Sequence, residues 1–122
     1  MEELNRFQKL VFEAKKNITE VPAAQAGAEV SAGSALLIDV REAEEWKDGH
    51  AAGAVHLGRG TIELEIEEAA PDLEQPIIAY CGGGGRSALV AENLGRMGYK
   101  NVRSMAGGFK AWTQAGLPTV NG

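Results

Sequence analysis

The chain has 122 residues, a formal net charge of −5 and 44% apolar residues, which suits one globular domain large enough to bury a core. The acidic balance argues against nucleic acid and against an anionic membrane surface as partners. One cysteine excludes an intramolecular disulfide. No stretch approaches the length of a membrane span and residues 1–20 lack an apolar signal core, so a cytoplasmic protein is expected.

Residues 1–17 read as an N-terminal helical extension and residues 18–122 as the main domain. On a helical wheel Leu4, Phe7, Val11, Ala14 and Ile18 share one face, while Arg6, Lys9, Glu13 and Lys16 share the other. This amphipathic helix either covers apolar surface of the domain or pairs with another protomer or partner. Phe12 points away from the apolar face.

Ile18–Val21 fits a short strand, and Pro22 suits the first turn of an alanine-rich helix ending near Gly33. Ala35–Val40 is apolar almost throughout, as expected of a parallel strand covered on both faces. Glu42–Asp48 forms a short helix with Trp46 as a core anchor. Ala54–Leu57 reads as a third strand flanked by His50 and His56, the only two histidines. Neither has a cysteine or paired carboxylate at ligand spacing, so no metal is expected, and His50 reads as a structural hydrogen-bonding residue.

Thr61–Asp72 carries Glu63, Glu65, Glu67, Glu68 and Asp72. Ile62, Leu64 and Ile66 alternate with the acids, yet Leu64–Ala70 fits a helix equally well, so the period leaves both readings open. The acids form a solvated face or a patch for a basic partner. Pro71 and Pro76 bracket the approach to Ile77–Tyr80, a short buried strand. Near the end, Asn101–Met105 fits a last strand; Gly107-Gly108 leads into a helix with Phe109 and Trp112 in the core, ending at Gly116 before Pro118. Alternating strands and helices from residue 18 onward predict an α/β domain on a mainly parallel sheet, helices on both faces.

The chemistry concentrates after Tyr80. The strand delivers Cys81 into Gly82, Gly83, Gly84 and Gly85, followed by Arg86 and Ser87. A helix then begins, with Val90, Leu94 and Met97 at helical spacing and Gly98 as its stop. Consecutive glycines weaken either regular structure; backbone that must curl around a ligand justifies them. Their N–H groups, with the helix N-terminus, can bind an anion or hold a thiolate. Cysteines so placed have pKa values of roughly 3.5–7.5 in place of about 8.5. Arg86 adds a full positive charge at the rim.

Tyr80-Cys81-Gly82-Gly83-Gly84-Gly85-Arg86-Ser87 resembles the active-site loop of single-domain rhodanese-like sulfurtransferases, Cys-x-x-Gly-x-Arg-Ser. Leu37–Glu42, Gly49–Leu57 and Gly107–Trp112 with Ala115–Pro118 agree with that family in the same order, over about residues 18–120. Ala52 stands where the family usually has proline, and Phe109 where it usually has tryptophan. Two-domain members carry a substrate arginine where this chain has Ala43-Glu44-Glu45-Trp46. Arg59, directly after the strand ending at Leu57, is then either a second cation of the pocket or a solvated loop residue.

The resemblance implies a rhodanese-like fold without a cofactor and a thiosulfate sulfurtransferase activity. Cys81 would attack the outer sulfur of thiosulfate and become a persulfide. Cyanide, a small thiol or a protein thiol would then take the sulfur from outside, since no second cysteine exists. Cys81 and Arg86 are the catalytic candidates, with Gly82–Gly85, Ser87 and Arg59 binding the substrate. Three alternatives stand beside this: a mercaptopyruvate donor; a persulfide carrier or interaction module docking on a partner enzyme; and a cysteine phosphatase or arsenate reductase. The last needs five residues between its cysteine and arginine, and this chain has four.

Overall fold

The computed structural model describes residues 3–121. In chain order the elements are α1 (Arg6–Lys15), β1 (Thr19–Val21), α2 (Ala23–Ser31), β2 (Leu36–Asp39), α3 (Ala43–Asp48), β3 (His50–Ala51), β4 (Val55–His56), α4 (Ile62–Ala69), β5 (Ile77–Tyr80), α5 (Gly85–Arg96), β6 (Val102–Met105), α6 (Gly108–Gln114) and β7 (Thr119–Val120). β1, β6, β5, β2 and β4 form a parallel sheet in that order. β5 is its central strand, so Cys81 emerges in the middle of the C-terminal edge, where ligands bind in parallel sheets.

The sheet separates two apolar layers. Ile77, Ala79 and Cys81 turn to one side, where Ile62 and Ile66 of α4 and Val90 and Leu94 of α5 cover them. Ile78 and Tyr80 turn to the other, against Ala26 of α2, Met105 and Trp112 of α6. This explains why β5 is apolar without alternation: both of its faces are buried. Each fully covered Ile, Leu or Met contributes about 1.5–3 kcal/mol relative to exposure.

Within Thr61–Asp72, Ile62–Ala69 resolves as helix. Ile62 and Ile66, one turn apart, are both 0% exposed, while Leu64 lies 86% exposed, so burial of one helical stripe decides between two periods that fit equally well locally. Trp46 is not the core anchor the sequence suggests: half-buried, it stacks with His50, with ring centroids 3.3 Å apart, and with His56, at 5.2 Å. His50 Nδ1 lies 2.9 Å from the Trp46 carbonyl. Phe109 is likewise half-buried, whereas Trp112 is fully enclosed. The antiparallel pair β3–β7 has no signal in the sequence, because two-residue strands are too short to show a period.

α1 lies outside this frame, packed on α5. Asn5 and Gln8 cap it reciprocally, Ala14 is buried and Val11 half-buried, but Leu4, Phe7, Leu10 and Phe12 remain 43–55% exposed. Its apolar face is thus only partly used by the domain. None of the described helices is long and apolar enough to cross a membrane.

One contact sets the relation between α6 and the loop after β5. Gly108 has φ +58°, and a Cβ there would collide with the Cys81 carbonyl and with Gly82 backbone. Gly108→Ala is expected to destabilise the protein by roughly 3 kcal/mol or more, since backbone must move. Gly95→Ala, at an exposed position of α5 with open space around it, is expected to stabilise by about 0.4–1 kcal/mol. Urea unfolding of both variants checks the pair.

Candidate active site

The loop Cys81–Gly84 is held from outside by the N-terminus of α6. That helix has no side-chain cap; its Phe109 N–H donates to the Cys81 carbonyl at 2.7 Å and its Lys110 N–H to the Gly82 carbonyl at 3.2 Å. Carbonyls that would otherwise crowd the sulfur are turned away and satisfy helix donors in need of partners. The N–H side of the loop is left to face Cys81.

Gly84 is the turning point. With φ +101° it adopts a left-handed conformation at the N-cap of α5, which glycine enters without penalty, and it lies against the Gly107 backbone. Its N–H donates to Cys81 Sγ at 3.1 Å. The Ser87 hydroxyl, in the first turn of α5, reaches Sγ at 3.5 Å and sits 2.8 Å from the Ser104 hydroxyl of β6. Cys81 as a residue is buried, at 1% exposure. Burial is the largest single influence on the thiol and pushes its pKa up. The Ser87 hydroxyl and the N–H groups of Ser87, Gly84 and Gly83 together outweigh it and hold the thiol below its ordinary value.

Arg86 is engaged rather than free. Its Nη1 and Nη2 donate to Glu45 Oε1 and Oε2 at 2.7 and 3.0 Å, a bidentate pair that joins α3 to the start of α5. The Arg86 bond holds the Glu45 carboxyl down at about 2, and the guanidinium is in turn held more firmly protonated by Glu45, with a smaller contribution from Cys81. The positive charge at the rim is therefore partly neutralised and fixed in direction. Glu45 is a site residue that sequence reasoning missed; within the run Glu42–Glu45 nothing local marks one acid as the arginine's partner.

Asp39 and Arg41 form a buried ion pair after the end of β2. The Arg41 guanidinium contacts both Asp39 oxygens at 2.9–3.1 Å and donates to the Gly49 carbonyl at 2.6 Å, with Phe109 beneath it at 4.4 Å from ring centre. His56 Nε2 meets the Arg41 carbonyl at 2.7 Å. The group knits the end of β2 to the β3 turn and to α6.

Arg59 does not line the groove beside the cysteine loop. Its N–H bonds the Val40 carbonyl at 3.0 Å, but its side chain lines a separate cavity of about 330 Å³ with Leu10, Glu63, Asn93 and Arg96, to which no residue of the cysteine loop contributes. Beside the loop itself lies a groove of about 390 Å³, walled by Leu4, Phe7, Val11 and Phe12 of the N-terminal segment and floored by Gly83 and Gly85.

Residues 22–115 match the rhodanese-like domain family. The chain is 44% identical over 84 residues to the thiosulfate sulfurtransferase GlpE of Haemophilus influenzae, covering 69% of this chain and 78% of that protein. Among solved structures it is similar to a protein of unknown function from Rhodopseudomonas palustris, described as a possible tyrosine phosphatase, at 31% identity and a TM-score of 0.81 over 97% of this chain and 98% of that one. It is also similar to the homodimeric polysulfide-sulfur transferase of Wolinella succinogenes, at 28% identity and a TM-score of 0.81 over 95% and 88% of the two chains. A parallel sheet carrying a buried, donor-lined cysteine at its central edge agrees with the match: the chain belongs to the rhodanese-like domain family and is a sulfurtransferase of the rhodanese type.

Proposed function

We propose that the protein transfers the outer sulfur of thiosulfate through a Cys81 persulfide to cyanide or a thiol. The observation that carries this reading is the donor set around Sγ: a buried sulfur facing N–H and O–H groups is arranged for a reactive thiolate and for the anionic persulfide that succeeds it. The thiolate attacks the outer sulfur of thiosulfate. A new S–S bond forms on Cys81, the S–S bond of thiosulfate breaks, and its electron pair leaves with sulfite. The acceptor then attacks the outer sulfur of the persulfide, and the Cys81 thiolate is regenerated, in a ping-pong sequence. The Gly82–Gly85 loop and Ser87 serve the anionic states; Arg86, aimed by Glu45, serves the charged donor. GlpE proteins, named thiosulfate sulfurtransferases, support thiosulfate as donor.

Four residues lie between Cys81 and Arg86, and both terminal nitrogens of Arg86 are taken by Glu45. That arrangement speaks for sulfur chemistry over a phosphoryl clamp, which needs a longer ring and a free guanidinium fork. A second reading, a persulfide carrier that hands sulfur to a partner protein, is favoured by the groove at Gly83 and Gly85, where Phe7 and Phe12 stay exposed on α1. Such a face suits docking of a protein thiol.

Intact-mass spectrometry of the protein before and after thiosulfate is expected to show a gain of one sulfur atom, removed by cyanide and absent in Cys81→Ser. No gain would refute the transfer reading; gain followed by slow release to small acceptors, but fast release to a protein thiol, would select the carrier. Arg86→Ala is expected to slow reaction with thiosulfate about tenfold, on the order of 1.4 kcal/mol, and reaction with a neutral organic trisulfide much less. Equal losses would make Arg86 a purely structural residue. Because the thiolate is the nucleophile, the rate of the first half-reaction is expected to rise with pH and level off below the pH at which an ordinary cysteine would; a midpoint at about 8.5 or higher counts against the donor set as the activating device.

A further inference from the structure

Behind the sulfur, Ser87 and Ser104 form a hydroxyl pair in which both residues are 0% exposed. Ser104 comes into reach through the sheet: it lies in register with Ala79 on the neighbouring strand, and Ala79 shares its side of β5 with Cys81. The Ser87 oxygen has two partners, Cys81 Sγ at 3.5 Å and Ser104 Oγ at 2.8 Å. Ser87 is the one side-chain partner of the Ser104 hydroxyl among the described residues.

Each hydroxyl has one proton, and counting them gives the pair a direction. If Ser87 donated to Ser104, the Ser104 proton would be buried without an acceptor and Sγ would lose its side-chain donor. If Ser104 donates to Ser87, the Ser87 proton goes to the sulfur and both buried hydroxyl protons have an acceptor. We propose that Ser104 is a positioning residue that donates to Ser87 Oγ and thereby commits the Ser87 proton to the Cys81 sulfur.

Two physical effects follow from that chain of bonds. Accepting from Ser104 polarises the Ser87 hydroxyl and strengthens its donation. The bond also holds the Ser87 hydroxyl in place, within reach of the sulfur. Ser104 thus favours the thiolate without touching it, and the inference rests on the reading of Cys81 as the reactive thiolate.

The test is the pH dependence of Cys81 alkylation by iodoacetamide in the full chain, followed by intact mass. Ser104→Ala is expected to raise the midpoint by about half a pH unit, roughly threefold less thiolate near neutral pH, and Ser87→Ala to raise it further. In the Ser87→Ala background the Ser104→Ala shift should vanish, since its route to the sulfur is gone. Ser104→Thr, which keeps a hydroxyl donor, should leave the midpoint in place and guards against a packing effect of alanine. An unchanged midpoint in Ser104→Ala, no shift in Ser87→Ala, or a Ser104 shift of full size without the Ser87 hydroxyl would each overturn the proposal. Alkylation needs no sulfur donor, so this outcome is separate from that of the persulfide measurement.

Discussion

Everything at this site depends on a sulfur that is buried and still ionises more readily than an ordinary thiol. Removing a charge from water is costly, and at Cys81 burial is the largest influence opposing ionisation. The opposition is met by short, fixed donors rather than by a neighbouring cation: the Gly84 N–H and the Ser87 hydroxyl lie within bonding distance of Sγ. Hydrogen bonds to a charged group are worth about 1.5–3 kcal/mol each, and a few of them suffice to reverse the sign of the burial effect. The sulfur can then be shielded from water and remain nucleophilic.

That donor set exists only because the loop is held open by groups that never touch the sulfur. The N–H groups of Phe109 and Lys110 take the Cys81 and Gly82 carbonyls, so the loop's oxygens point to α6 and its N–H groups inward. Gly108 must lack a side chain for α6 to approach so closely. The Arg86–Glu45 pair ties the start of α5 to α3, and Asp39–Arg41 ties the adjoining turns together beneath it. Two of the chain's cations thus also set geometry, their charges partly answered by carboxylates.

The N-terminal helix extends the same logic to the surface. Phe7 and Val11 stand against the position of Gly85, so the loop has an apolar wall on one side. Leu4 and Phe12 continue that wall outward and stay exposed. A helix that merely covered the domain would bury these side chains more fully; here the wall and the sulfur-bearing loop form one continuous groove.

Much of this was legible in the residues. The apolar run before Cys81, the four glycines and the periodic face after Arg86 already define strand, anion loop and helix, because period and glycine content act over a few neighbouring residues. The parallel α/β plan follows from the same local alternation. What lay beyond reach were relations between distant positions. No local pattern links Glu45 to Arg86 or Ser104 to Ser87, none sends Arg59 to a different cavity, and none turns Thr61–Asp72 from an undecided stretch into a helix with Ile62 and Ile66 inward. Sequence determined which chemistry is present and on which kind of turn it sits, since those depend on covalent neighbours. Tertiary structure decided which charges are spent on each other and which protons reach the sulfur, since those depend on what the fold brings within 3 or so Å.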